Sequence, residues 1–190
     1  MTLYFITGNK KKYEEISLLL GIPIKQFNVD LPEIQEIDSE KIISAKLQEA
    51  IKLKKNEPDA CFIVEDTSLY FDCLNNLPGP LIKWFFKQLG NHGLFTLTEN
   101  YKSFGAIATT IIGYYNNGKI SYIEGSVKGT IVKPRVDNGF GWDPIFIPEG
   151  SDKTFAQMSE KEKNLISQRM KAVKKLKTIL KKDFLQEKEI

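Results

Sequence analysis

The chain is poor in the residues on which much hydrolytic chemistry relies. Its 190 residues include one histidine, His92, and two cysteines, Cys61 and Cys73. One histidine, with no serine or cysteine arrangement around it, gives no basis for a Ser-His-Asp or Cys-His nucleophile. Two cysteines without zinc-type spacing exclude a disulfide framework and a structural zinc site, and fit a reducing, cytoplasmic setting. No apolar run approaches the roughly 20 residues of a membrane span. Met1 to Thr7 has no basic start and no small-residue cleavage site, so it is read as a first strand, not a signal peptide. His92 follows Gly90-Asn91 in an expected turn and is read as a surface residue. Without a histidine base, hydrolysis by this chain has to rest on carboxylates and a metal ion.

The residues that are abundant describe a globular protein, 42% hydrophobic and 27% charged with a net charge of +3. The positive charge is uneven: Lys161 to Lys182 holds nine Lys or Arg and one acid, Glu162. Such a stretch is a solvated helix face or, alternatively, a surface for an anionic partner. No stable nucleic-acid partner and no membrane partner are expected.

Periodicity sets out the elements. Leu3 to Thr7 is a buried strand ended by Gly8-Asn9, and Lys10 to Leu20 has helical apolar spacing closed by Gly21. Lys25 to Val29 is a second strand. Ser39 to Lys54 is an amphipathic helix. Cys61 to Val64 is a short strand leading into Glu65-Asp66-Thr67. Pro80 opens a helix running to Leu89, ended by Gly90. Phe104 to Tyr115 and Ile120 to Val132, joined by Asn116-Asn117-Gly118, read as a hairpin. Ser159 and Glu162 fit a capping box, and Ile166, Met170, Val173 and Leu180 form the apolar stripe of a final helical region in which Ser167 is an alternative start. Helices interleaved with strands, then a hairpin, predict a mixed α/β sheet in one two-lobed domain over residues 1–190.

Four places carry candidate chemistry. Thr7-Gly8-Asn9 opens a helix and is followed by Lys10, Lys11 and Lys12. Unpaired N–H groups at a helix start, a glycine and three ammonium groups suit a triphosphate. Glu65 and Asp66 stand where a buried strand is expected to end, the usual ligand side of an α/β sheet. Consecutive strand residues face opposite ways, so only one of the two points straight into a site. Asp30 and Glu33 lie in another loop and complete a set suited to magnesium. Phe140-Gly141-Trp142-Asp143-Pro144 offers rings to stack on a base and a carboxylate to accept ring N–H groups. Lys163 and Arg169 lie in the last helical region, and Arg169 falls inside its apolar arc, where an arginine needs a partner.

In order along the chain, Thr7-Gly8-Asn9-x-x-Lys12, Leu31-Pro32-Glu33, Val64-Glu65-Asp66-Thr67, Leu77-Pro78-Gly79-Pro80, Phe140-Gly141-Trp142-Asp143-Pro144 and Glu162-Lys163-Asn164 with Ser167-x-Arg169 resemble the inosine triphosphate pyrophosphatases. The form Val-Glu-Asp-Thr and Ile82-Lys83-Trp84-Phe85 look like the eukaryotic branch. The resemblance runs from about Leu3 to about Leu180. It implies an elongated mixed sheet with flanking helices, two lobes around a central cleft, and a homodimer. It also implies magnesium-dependent cleavage of abnormal purine nucleoside triphosphates (ITP, dITP, XTP) between the α- and β-phosphates, with manganese as the other candidate ion. By position, Thr7 to Lys12 match the triphosphate loop. Glu33, Asp66 and Glu65 match the metal-associated carboxylates, and Asp66 the general base. Lys46 and Thr67 match substrate contacts, and Phe140 to Asp143, Lys163 and Arg169 the base-binding side. Gln168 stands where the family usually has histidine. Two alternatives keep the residues and change the function: cleavage of other modified nucleotides, and non-catalytic binding of a nucleotide or nucleic acid.

Overall fold

The computed structural model describes residues 2–29, 31, 34–53, 60–136 and 139–186. Within them the order is β1 (Thr2–Ile6), α1 (Lys10–Leu20), β2 (Lys25–Phe27), α2 (Ser39–Leu53), β3 (Ala60–Phe71), β4 (Pro78–Gly79), α3 (Ile82–Asn100), β5 (Gly105–Asn116), β6 (Lys119–Ile131), β7 (Phe146–Pro148), α4 (Glu160–Ile166) and α5 (Gln168–Gln186). The strands form one mixed sheet in the order β2-β1-β3-β5-β6-β7, with β4 paired to β3. β1 runs parallel to both β2 and β3, and β4 and β7 are antiparallel to their neighbours. The mixed α/β class expected from the sequence is the observed one. No described helix is long and apolar enough to cross a membrane.

The chain divides into two compact units, residues 1–66, 110–125 and 169–190 in the first and 67–109 with 126–168 in the second. The first unit has two apolar layers, one on each face of its strands. Leu3, Phe5, Cys61 and Ile63 pack with Ile16 and Leu20 of α1 and Val173 and Leu176 of α5. Ile6, Phe62 and Val64 pack with Ile43, Leu47 and Ala50 of α2. Successive residues of β3 therefore alternate between the α1/α5 layer and the α2 layer, as the period of two requires. Gly113 of β5 makes the second layer close-packed: a β-carbon there would collide with Ile43 and Leu47. The second unit is built on Leu69, Phe71, Ile82, Leu94, Phe146 and Phe155, with Trp142 among them.

Two expectations are corrected, the end of β3 and the turn at His92. β3 does not end before Glu65 but continues to Phe71, so Glu65 and Asp66 are mid-strand. Acids and Ser-Thr read as a strand end, yet Leu69 and Phe71 behind them are fully buried and carry the strand on. The strand-end position survives in another form: β1 pairs with β3 only as far as Ile63, so both carboxylates lie beyond the edge of that pairing. Gly90 (φ 62°, ψ −175°) interrupts α3 where the helix was expected to end, and His92, exposed as expected, lies in the second helical run that follows it and not in a turn. The final helical region follows the alternative start at Ser167: α4, with the expected Ser159–Glu162 capping box, and α5 are separated there. Trp84 is 44% exposed, while Phe85 and Phe86 pack against the second core.

Candidate active site

The first unit gathers three cations and three carboxylates. Asn9 caps α1, its side chain accepting from the Lys12 N–H at 3.1 Å, and its own N–H donates to Thr7 Oγ1. The cap fixes the first turn of the helix; Gly8, Asn9, Lys10 and Lys11 are exposed there. Lys10 leans toward Glu14 one turn on, at 3.6 Å. Lys12 turns inward and places its ammonium 2.8 Å from Glu65 Oε2. No acid occupies the first turn of α1, so the partial positive charge of the helix start is left for an anion.

Arg169, at the start of α5, has the partner its place in the apolar arc demanded. It is 3% exposed. Its Nε and Nη2 donate to Glu65 Oε1 at 3.1 and 2.9 Å, and its Nη1 donates to Glu15 Oε2 at 2.6 Å. Three of the five donors of the guanidinium are thus directed at carboxylates. Glu65, on the α1/α5 face, has no exposed side-chain surface.

Asp66, the next residue, faces the α2 layer. Lys46, one helical turn from Ile43 and Ala50, donates to Asp66 Oδ1 at 2.8 Å. Asp66 Oδ2 is buried and accepts no hydrogen bond from the described residues. Burial pushes the Asp66 carboxyl above the ordinary aspartate value, with Lys46 and Lys12 pulling it down and Glu65 adding to the rise. Lys12, Lys46 and Arg169 balance Glu15, Glu65 and Asp66 in formal charge. The cluster is neutral before an anionic ligand arrives.

A buried carboxylate oxygen with no donor on it is the feature a hard cation would use. The fit is to an ion that takes its other ligands from phosphate and water: among the described residues no three acids, histidines or cysteines converge on one point. Asp30 and Glu33 lie outside the described residues. Glu65 has both oxygens engaged by cations, Oε1 by Arg169 and Oε2 by Lys12.

The second unit positions the aromatic loop. Asp143–Ile145 is a single 3₁₀ turn, closed by Asp143 N–H donating to Phe140 O and Ile145 N–H to Trp142 O, both at 3.1 Å. Lys163 of α4 lies 2.5 Å from Asp143 Oδ2 and its ammonium stands over the Phe155 ring. Trp142 is only 8% exposed. It packs edge-on against Phe146 at 5.6 Å and tilted against Phe155 at 6.4 Å, which makes it a core ring. Phe140 is 41% exposed and is the ring this loop presents outward. Thr67 is half-buried in the same unit. Gln168 is 3% exposed, and its Oε1 accepts no hydrogen bond from the described residues.

Two contributors were not singled out from the sequence. Glu15 lay on α1 among ordinary polar positions and carried no motif. Asn91 donates from Nδ2 to Gly141 O at 3.1 Å and so ties α3 to the aromatic loop. Its place directly after Gly90 read as turn chemistry, which hid its role as a support.

The first unit carries an exposed helix start flanked by lysines and a carboxylate with one buried oxygen that accepts no hydrogen bond from the described residues; the second unit carries an aromatic loop with a Lys–Asp pair. Comparison with known proteins places the chain among nucleotide hydrolases. A Kluyveromyces lactis protein named inosine triphosphate pyrophosphatase is 39% identical over 186 residues, covering 94% of this chain and 95% of its own. The Yarrowia lipolytica protein of the same name is 40% identical over 185 residues, covering 95% and 96%. Among solved structures, a HAM1 protein from Coxiella burnetii superposes with a TM-score of 0.79 at 25% identity, covering 96% of this chain and all of that one. A dITP/XTP pyrophosphatase from Mycobacterium abscessus gives 0.71 at 27% identity, covering 93% and 98%. The Ham1 family model matches residues 3–179. Matched almost end to end both by that model and by relatives near 40% identity, this chain belongs to the Ham1 family.

Proposed function

We propose that the chain hydrolyses abnormal purine nucleoside triphosphates (ITP, dITP and XTP) to the monophosphate and pyrophosphate, clearing them from the nucleotide pool. The observation that carries this reading is Asp66: Lys46 holds one oxygen, and the other is buried and takes no hydrogen bond from the described residues. Inosine triphosphate and dITP/XTP are the substrates in the names of the relatives.

The triphosphate falls to Thr7, Gly8, Asn9, Lys10, Lys11 and Lys12, where amide N–H groups and ammonium groups stand together. Asp66 would hold a divalent cation, magnesium by the chemistry of its ligands, which would supply positive charge to screen the phosphate oxygens. Asp66, in its ionised form, orients and deprotonates the attacking water. Lys12 and Lys46 offset charge on the departing pyrophosphate. This is positioning with electrostatic stabilisation, which dominates phosphoryl transfer.

The nucleobase falls to Phe140, Asp143, Lys163 and Gln168. Hypoxanthine and xanthine carry a keto oxygen at the 6-position, adenine an amino group. N–H donors from the loop backbone or Gln168 pair with the first and meet a second donor in the other. A mismatch of that kind costs about 1–3 kcal/mol, on the order of ten- to a hundredfold.

The remaining parts of the reading are a cytoplasmic enzyme, in keeping with two free cysteines, and a homodimer. Leu77, Trp84 and Leu89 are apolar and exposed, and a second copy would cover such surface.

The deciding experiment is a panel of ITP, dITP, XTP, ATP, dUTP and a methylated UTP with magnesium, read by pyrophosphate release. The keto purines are expected to turn over at least about tenfold faster than ATP. Preference for the pyrimidines, or nucleotide binding without pyrophosphate release, overturns the reading.

A further inference from the structure

Glu65 stands next to Asp66 in β3, yet its surroundings are of a different kind. The strand turns it to the opposite face, into the α1/α5 layer. We propose that Glu65 is a positioning residue: the buried counter-ion that holds the Lys12 ammonium ready for the triphosphate, and not a ligand of the cation. The proposal rests on the reading of Lys12 as a phosphate-binding group.

The geometry works in series. Glu15 takes Arg169 Nη1 at 2.6 Å and fixes the plane of the guanidinium. The Nε–Nη2 edge of Arg169 then grips Glu65 Oε1 with two donors and restrains the carboxylate. Oε2 is left pointing at Lys12, 2.8 Å from Nζ. Arg169 is shared between two carboxylates, which leaves Glu65 net negative charge to spend on the lysine. The other end of Lys12 is fixed as well, since Asn9 caps its backbone N–H. A side chain with four rotatable bonds is thereby held at both ends. Its side chain remains 21% exposed, so the ammonium is within reach of a ligand. The contact to Glu65 Oε2 is an ion pair, and an ammonium has three N–H donors to direct at other acceptors. Lys12 can therefore turn toward phosphate oxygens without losing its anchor.

The test is a double-mutant cycle on Lys12→Met and Glu65→Gln, with folding checked by thermal unfolding. The amide of the glutamine keeps the shape and removes the charge. Wild type must first release pyrophosphate from ITP; if it does not, the functional reading fails and this proposal with it. Given turnover, Glu65→Gln is expected to lower kcat/KM at least about tenfold through lost positioning. In the Lys12→Met background the same change is expected to cost less than about twofold, because the residue it acts through is gone. The magnesium concentration for half-maximal rate is expected to stay within about twofold of wild type. Additive losses, or a half-maximal magnesium concentration raised tenfold, overturn the proposal while leaving the enzyme assignment intact. If Glu65→Gln does not fold, wild-type chain with ¹⁵N-labelled lysine decides. Lys12, assigned by its loss in Lys12→Met, is expected to show a slowly exchanging ammonium that shifts on adding tripolyphosphate. An ammonium exchanging as fast as that of Lys10 overturns it.

Discussion

Lys46 Nζ lies 2.8 Å from Asp66 Oδ1, joining α2 to β3. The lysine side chain is 8% exposed and the aspartate 14%, so the pair is poorly screened by water. Burial raises the aspartate, and Lys46 is the strongest of the groups opposing that rise. Asp66 acts when ionised, so activity is expected to climb with pH through a midpoint above the usual ~3.9 of an aspartate. Removing Lys46 removes a charge that favours the ionised form, so Lys46→Met is expected to move that acid limb to higher pH as well as slow turnover. A pH profile of kcat/KM for ITP in both proteins checks the direction; a shift to lower pH contradicts it. Asp66→Asn is expected to lose on the order of a hundredfold or more in kcat.

The two rings of the aromatic loop are expected to separate by phenotype. Trp142 is buried against Phe146 and Phe155. Trp142→Ala is therefore expected to cost about 3–5 kcal/mol of stability, read by chemical denaturation. Phe140 is exposed, and Phe140→Ala is expected to leave the unfolding midpoint nearly unchanged while raising KM for ITP several-fold, since base stacking is worth about 1–3 kcal/mol. An unchanged KM would remove Phe140 from the base contact.

Gln168 keeps a buried carbonyl oxygen that accepts nothing from the described residues. An unsatisfied buried acceptor costs about 1–3 kcal/mol, so a polar side chain kept there serves something other than stability. Gln168→Leu is expected to hold or raise the melting temperature and to narrow the preference for ITP over ATP. Loss of stability with selectivity unchanged would make Gln168 a structural residue.

Glu162 closes the capping box of α4, accepting from Ser159 N–H and Oγ at 2.8 Å and from Lys153 Nζ at 2.9 Å. The Lys153 and Ser159 contacts hold its carboxyl down from 4.5 to about 2. Between those values the unfolded chain binds the proton and the folded chain does not, so this group's stabilisation is complete above 4.5 and is lost as the pH falls toward 2. Glu162→Gln is expected to be less stable than wild type near neutrality and to converge with it near pH 2. Denaturation midpoints at a series of acid pH values test the convergence.

Gly8-Asn9 before a lysine-rich helix, the Ser159–Glu162 box and the hairpin turn at Asn117-Gly118 were legible because each depends on residues close in sequence. The course of β3 was not. Its acids and hydroxyls resemble a strand end, and only the burial of Leu69 and Phe71 in the second unit's core shows why the strand continues. Arg169 was legible as an arginine needing a partner, but Glu65, 104 positions away, and Glu15, 154 positions away, were not.

The sequence by itself determined the class of the fold, the order of its elements and the six motifs that mark the family, because periodicity, capping and turn chemistry act over a few neighbours. Tertiary structure alone decided the pairing of charges. The two faces of β3 send adjacent carboxylates into different helical layers, so Glu65 meets Lys12 and Arg169 while Asp66 meets Lys46. Which lysine neutralises which acid follows from helix packing against each face, and no local pattern encodes it.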